Sequence, residues 1–314
     1  MQNAIVLPYI GGDNATMDIC TQTNIFSFRA AYPPEQTVSV LADAGWNAID
    51  WSFFELLDGK GVWAAEGWQS RAEQVRKIAD QRHVRIVQAH APFPSGTGDP
   101  EKDETVFKMI VRSMEVSSVL GVRNIVVHPL KWIEGPDRRE EAWNANLALY
   151  ARLIPYCEKL GLCVCAENMK KYNRETKKFD VSFCGDPDTF CGFIDAIDSP
   201  YVKACLDVGH ASLAGTDPAA FIHRLGPDRL KALHIQDVDG MDDRHNLPFQ
   251  ENLDWESICQ ALGEIGYAGW FTLEADNFMK KMPSALWPAA EAFMAKTARY
   301  LADRVEHYAT NSTT

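Results

Sequence analysis

No run of apolar residues in this chain approaches the roughly 20 needed to span a bilayer. The opening segment, MQNAIVLPYIGGDN, lacks the basic start and apolar stretch of a secretory signal. Membrane association is therefore not expected, and the expected location is cytoplasmic. The eight cysteines include no CxxC pair. Cys163 and Cys165 alternate along one apolar run, and Cys157, Cys191 and Cys259 fall in helical contexts, so reduced thiols are expected rather than a disulfide frame or a structural zinc site. Positive charge is scarce: 31 Lys and Arg against 43 Asp and Glu give a net charge of −12. That balance argues against a nucleic-acid partner, because phosphate contacts need local positive charge. No GxGxxG turn follows the first apolar run, which weakens an open, dinucleotide-binding sheet as the fold.

What is present is a rhythm. Six short apolar runs end in an acid or a histidine: VRIVQAH at His90, NIVVH at His128, LCVCAE at Glu167, KACLD at Asp207, KALH at His234 and WFTLE at Glu274. The steps between these residues are 38, 39, 40, 27 and 40 positions. A strand, a helix and two loops take roughly 30–40 residues. Each unit thus presents one metal-capable side chain at the C-terminal end of its strand, and in a closed parallel barrel those ends share one mouth. Mixed carboxylate and imidazole donors suit a divalent ion of intermediate hardness.

The intervening segments fit. Strands are predicted at 17–26, 46–51, 84–90, 124–128, 162–167, 201–207, 229–235 and 269–274. Helices are predicted after Pro33-Pro34, over 66–82, 101–120, 138–160, 186–198 and 216–225, before Gly266, and over 284–307. Glycines 45, 121, 161 and 266 close helices just before strands, where a left-handed cap is accessible without Cβ strain. The expectation is one (β/α)8 TIM barrel domain over 1–314, with flexible ends at 1–16 and 309–314. The basic cluster Lys170, Lys171, Arg174, Lys177 and Lys178 is read as a solvated loop.

The motif order CAEN, CLDVGH, LHIQD and TLEAD resembles the xylose-isomerase-like barrel superfamily, which includes sugar isomerases and epimerases, inosose dehydratases and abasic-site endonucleases. The resemblance implies a divalent metal ion, manganese foremost with cobalt, zinc or magnesium as alternatives, held by Glu167, Asp207, His234 and Glu274. It implies a reaction that abstracts a proton next to the carbonyl of a sugar or sugar-derived ketose, through an enediolate. Glu167 and Glu274 would be the bases, and His128 could be a base in its own right. His90, His210, Arg244 and His245 would contact substrate. The alternative on the same chemistry is a lyase, either an inosose-type dehydratase or the catalytic subunit of a C-glycoside deglycosidase. Expected partners are a small sugar derivative and further subunits, either copies of this chain or a small second chain. Asp243-Arg244-His245 also resembles the Asp-Arg-His motif of the endonucleases, whose nine zinc-ligand types all have counterparts here. The acidic charge and the HAPF loop favour small molecules over DNA. A sugar-binding barrel without turnover is the remaining reading, and it has no need of paired bases. Two positions depart from the epimerase pattern: Asn173 stands where an acid is expected, and Gly240 where an arginine is expected. Trp51, Phe53, Phe54, Trp63, Trp68, Phe93 and Trp132 are candidates for stacking on substrate, or for the core.

Overall fold

The computed structural model describes residues 16–29, 32–59, 61–133, 135–173 and 175–311. Residues 1–15 and 312–314, read from sequence as flexible ends, and Arg174 of the basic cluster lie outside the described residues. In chain order the strands are β1 (Ile19–Gln22), β2 (Ala48–Ser52), β3 (Arg85–His90), β4 (Asn124–Val127), β5 (Cys163–Glu167), the hairpin β6 (Lys170–Asn173) and β7 (Lys178–Val181), then β8 (Val202–Asp207), β9 (Leu230–His234) and β10 (Phe271–Leu273). Eight of them pair in parallel in the order β10-β1-β2-β3-β4-β5-β8-β9. The ring is joined where Ile235 bridges Leu273, with Ile235 N donating to Thr272 O and Glu274 N donating to Ile235 O, each at 2.9 Å. This is the expected (β/α)8 barrel.

Two sequence devices set each unit. Aspartates 99, 186, 217 and 254 cap helix starts by accepting backbone N–H bonds, and a proline follows the first three directly. Gly45 and Gly121, at φ 99° and 87°, turn the chain out of one helix towards the next strand. The helices then pack their apolar faces on the outside of the strands. That layer is the main core, and it holds Trp46, Trp63, Trp287 and Tyr150 fully buried.

Inside the barrel the side chains are smaller. Val126, Cys165, Cys205 and Ala232 form one apolar layer, and Cys20, Ala48, Val87 and Trp270 another. All eight cysteines are free thiols, seven of them buried. Strand side chains repeat with period two, so the residue two places after an inward one also points inward. Two residues beyond the first layer come His128, Glu167, Asp207 and His234. The polar floor of the mouth therefore follows from strand register.

Four segments differ from the reading by pattern. β1 ends at Gln22, and a helix spans Asn24–Arg29, because the Thr23 carbonyl accepts from Phe26 N at 3.1 Å and turns the chain. The helix expected to end at 225 runs Pro218–Arg229, with a break at Gly226 (φ 66°) ahead of Pro227. The last helix spans Trp287–Asn311, so 309–311 are helical, and Thr310 Oγ1 donates to Glu306 O at 3.0 Å. The basic cluster is a hairpin rather than a loop, and its first residue faces inward.

Candidate active site

Glu167, Asp207, His234 and Glu274 leave four strands at the same end of the barrel, and all are at most 5% exposed. One donor atom from each lies within 4.8 Å of the others. His234 Nδ1 is 3.3 Å from Glu167 Oε1 and 3.2 Å from Glu274 Oε2. Asp207 ends β8 and caps the short helix Val208–Leu213, its Oδ1 accepting from His210 N at 2.7 Å. The Asp-x-x-His spacing is thus a helix cap that also holds the carboxylate still.

Three further donor groups share the floor: His90, His128 and Glu167; His90, His234 and Glu274; and His210, Asp243 and His245. His90 Nε2 and His128 Nε2 are 3.0 Å apart, and they lie 3.5 and 2.8 Å from Glu167 Oε2. Three imidazoles are aimed alike. Nδ1 of His90 faces the Ala91 carbonyl (2.8 Å), that of His210 the Asn168 carbonyl (3.0 Å), and that of His245 the Glu274 carbonyl (3.2 Å). A carbonyl at Nδ1 fixes the ring and leaves Nε2 for the site, as in metal-ligating histidines.

Three supporting residues escaped the sequence reading. Asp50, fully buried, places Oδ2 3.4 Å from His234 Nε2 and accepts from Gln88 Nε2 at 2.7 Å. It stands 40 residues before His90, so the same rhythm could have found it. Gln236 donates to Asp207 Oδ2 (2.8 Å) and Asp243 Oδ1 (3.1 Å) and accepts from His245 N (2.8 Å). Lys170 brings Nζ to 2.6 Å from His210 Nε2 and 2.5 Å from Asp243 Oδ2. No sequence signal separated it from its lysine neighbours. Arg244 departs from its expected place: Asp239 and Asp242 hold its guanidinium at 2.7 and 3.1 Å, it is 42% exposed, and it does not line the cavity.

Above the floor is a cavity of about 280 Å³ walled by His90, His128, Lys170, His210, His245 and the rings of Phe54 and Phe93. That volume is just below the usual range of ligand pockets, roughly 300–1,000 Å³. Trp51, Phe53, Trp63 and Trp68 belong to the core, and Trp132 stacks under Arg138 at 5.8 Å. Asn173 is taken up by the hairpin turn, where its Oδ1 accepts from Glu175 N and Thr176 N.

The electrostatics favour a cation at the floor. Burial would raise the Glu167 carboxyl, but His128 and His234 outweigh it and hold it well below the usual carboxylate range. Burial pushes Asp207 up, and Glu274 and Glu167 add to the shift. Burial pushes His128 down to about 3 against the pull of Glu167. His245 goes the other way, to about 10, because Glu274 and Asp243 outweigh its burial. Glu167 Oε2 meets the His128 and His90 imidazoles at 2.8 and 3.5 Å, while Glu274 Oε2 and His234 Nδ1 are buried with no hydrogen-bond partner. Such unpartnered atoms each cost about 1–3 kcal/mol when left unsatisfied. The residues present therefore fit a divalent ion, which would take both.

Residues 38–298 match the family described as xylose isomerase-like TIM barrel. The chain belongs to that family. Relatives within reach of the xylose isomerase-like barrels include a D-psicose 3-epimerase of Enterocloster bolteae, 35% identical over 212 residues (64% of this chain and 65% of the relative). An inosose dehydratase of Lacticaseibacillus casei is 23% identical over 252 residues, covering 71% of this chain and 79% of the relative. The fold is that of a D-tagatose 3-epimerase-like protein, with a TM-score of 0.71 at 19% identity over 94% of this chain and 99% of that one. Relatives of both epimerase and dehydratase type support an enzyme.

Proposed function

We propose that this barrel is a divalent-metal-dependent sugar isomerase or epimerase that moves a proton next to a carbonyl. The observation that carries the reading is the pair Glu167 and Glu274, two buried carboxylates with donor oxygens within 4.8 Å of each other in one cluster with Asp207 and His234. Glu167, Asp207, His234 and Glu274 would hold the ion, which when bound supplies Lewis-acid polarisation of a substrate carbonyl and its neighbouring hydroxyl. One glutamate removes the proton from the adjacent carbon and the other returns one, which is the general acid–base work that paired carboxylates perform. His90, His210 and His245, each locked by a backbone carbonyl, orient substrate oxygens. Phe54 and Phe93 present ring edges and faces to the sugar and exclude water. Manganese is the proposed ion. Asp50 keeps His234 aimed at the cage by its contact with Nε2.

A lyase is the second reading. His128 lines the cavity and its Nδ1 has no hydrogen-bond partner, which leaves an imidazole able to move a proton during loss of water. The inosose dehydratase relative points the same way.

The test combines elemental analysis of the purified protein with incubation of ketoses in D2O. Deuterium uptake at the carbon next to the carbonyl, with sugar recovered and about one ion per chain, supports the epimerase reading. Loss of water from an inosose with no recovered exchange moves the assignment to the lyase. About three zinc ions per chain with cleavage of abasic DNA would overturn both.

A further inference from the structure

We infer that Lys170 is a built-in cation of the His210–Asp243–His245 cluster, taking the place that a further metal ion would otherwise occupy. The inference rests on the metal-dependent reading above and concerns how many ions the mouth holds. The three donors have the composition and arrangement of a metal site: two imidazoles with Nδ1 tied to carbonyls, and a carboxylate between them. Asp243 Oδ2 lies 3.7 Å from His210 Nε2 and 3.3 Å from His245 Nε2. The ammonium sits among them, 2.6 Å from His210 Nε2 and 2.5 Å from Asp243 Oδ2, with its side chain only 11% exposed.

The geometry excludes sharing. Zinc binds such donors at about 2.0–2.2 Å, so an ion bonded to both His210 Nε2 and Asp243 Oδ2 would lie within about 3 Å of the lysine nitrogen. Two cations that close repel strongly in a site shielded from water. The position is also built for the lysine. β6 pairs with β7 in an antiparallel hairpin, Lys170 opposite Val181, and this anchors the backbone three residues after Glu167. Gln236 then fixes the other oxygen of Asp243 at 3.1 Å. The donor set thus resembles a three-ion centre, while one third of it is already neutralised from within the chain.

The test is metal stoichiometry. Full-length protein stripped with chelator, loaded with zinc and desalted is compared with Lys170→Ala and with Lys170→Met, which keeps the bulk of the side chain. The expected result is about one further zinc per chain in both variants, lost again when Asp243→Asn is added. Equal zinc content in wild type and both variants, or wild-type protein already holding about three ions, would overturn the inference. Deuterium exchange into ketoses is followed separately. A gain of zinc without any sugar turnover in wild type would sink the proposed function and leave this inference standing, whereas turnover with unchanged zinc would do the reverse.

Discussion

The two halves of the barrel mouth carry similar donors on different supports. Glu167, Asp207, His234 and Glu274 sit at strand ends, where the hydrogen-bond register of the ring sets their spacing. His210, Asp243, His245 and Lys170 come from a short helix, a loop and a hairpin, and Asp243 and His245 remain 27% and 22% exposed. The strand-borne half is rigid and fully desolvated, which suits chemistry that depends on preorganised charge. The loop-borne half can be retuned by one substitution without disturbing the barrel. On the proposed reading, reaction type would belong to the first half, and ion count and substrate choice to the second.

The largest effect should come from the strand-borne half. Glu274→Gln keeps the shape and removes a base, so deuterium exchange into substrate should fall roughly 10²–10⁴-fold, measured under saturating metal. An unchanged rate would show that the carboxylate pair is not the catalytic machinery. Asp50→Asn alters the contacts to His234 Nε2 and Gln88 Nε2, and loss of such support for a ligand should weaken metal affinity roughly 10–100-fold, read by competition with a chelator. If affinity did not move, His234 would not be a ligand oriented by Asp50. Stripping the ion should lower thermal stability, because a ligand at a hundred times its Kd contributes about 2.7 kcal/mol to folding. Calorimetry with and without chelator measures this, and identical curves would argue against a bound ion.

A buried carboxyl elsewhere sharpens the contrast. Glu291 accepts from Trp46 Nε1 at 2.8 Å and is pushed up to about 8 by burial. The folded chain therefore binds a proton there that the unfolded chain releases above about pH 4.5, and stability is lost as pH rises from that value towards 8. Glu291→Gln should flatten this slope in denaturation measured across that window, by a few kcal/mol at its upper end. Parallel slopes in variant and wild type would mean that Glu291 is ionised throughout. Arg244→Ala should do least. Exposed ion pairs contribute about 0.2–1 kcal/mol, and a large rise in KM would instead return Arg244 to the substrate.

The sequence was most legible where backbone geometry governs. Glycine stops and the forty-residue rhythm gave the barrel and six strand-end candidates, because period-two strands and closed parallel sheets leave few choices, and the family resemblance singled out four of the six. It was least legible at Lys170 and Arg244. Lys170 lies in a run of like residues and Arg244 among aspartates, and which way each turns depends on a hairpin register for the first and on the placing of Asp239 and Asp242 for the second. Asp50 falls between: its spacing matches the rhythm, yet its role follows only from the imidazole that β9 carries across the barrel.

Composition and pattern alone thus determined a metal-capable α/β barrel, because local rules of strand, helix and cap act within each unit. Only the tertiary structure decided which donors share an ion's space, that a lysine already stands among three of them, and that an expected arginine faces solvent. Those outcomes depend on contacts between units far apart in the chain, where distances of a few ångströms are set by packing and not by spacing.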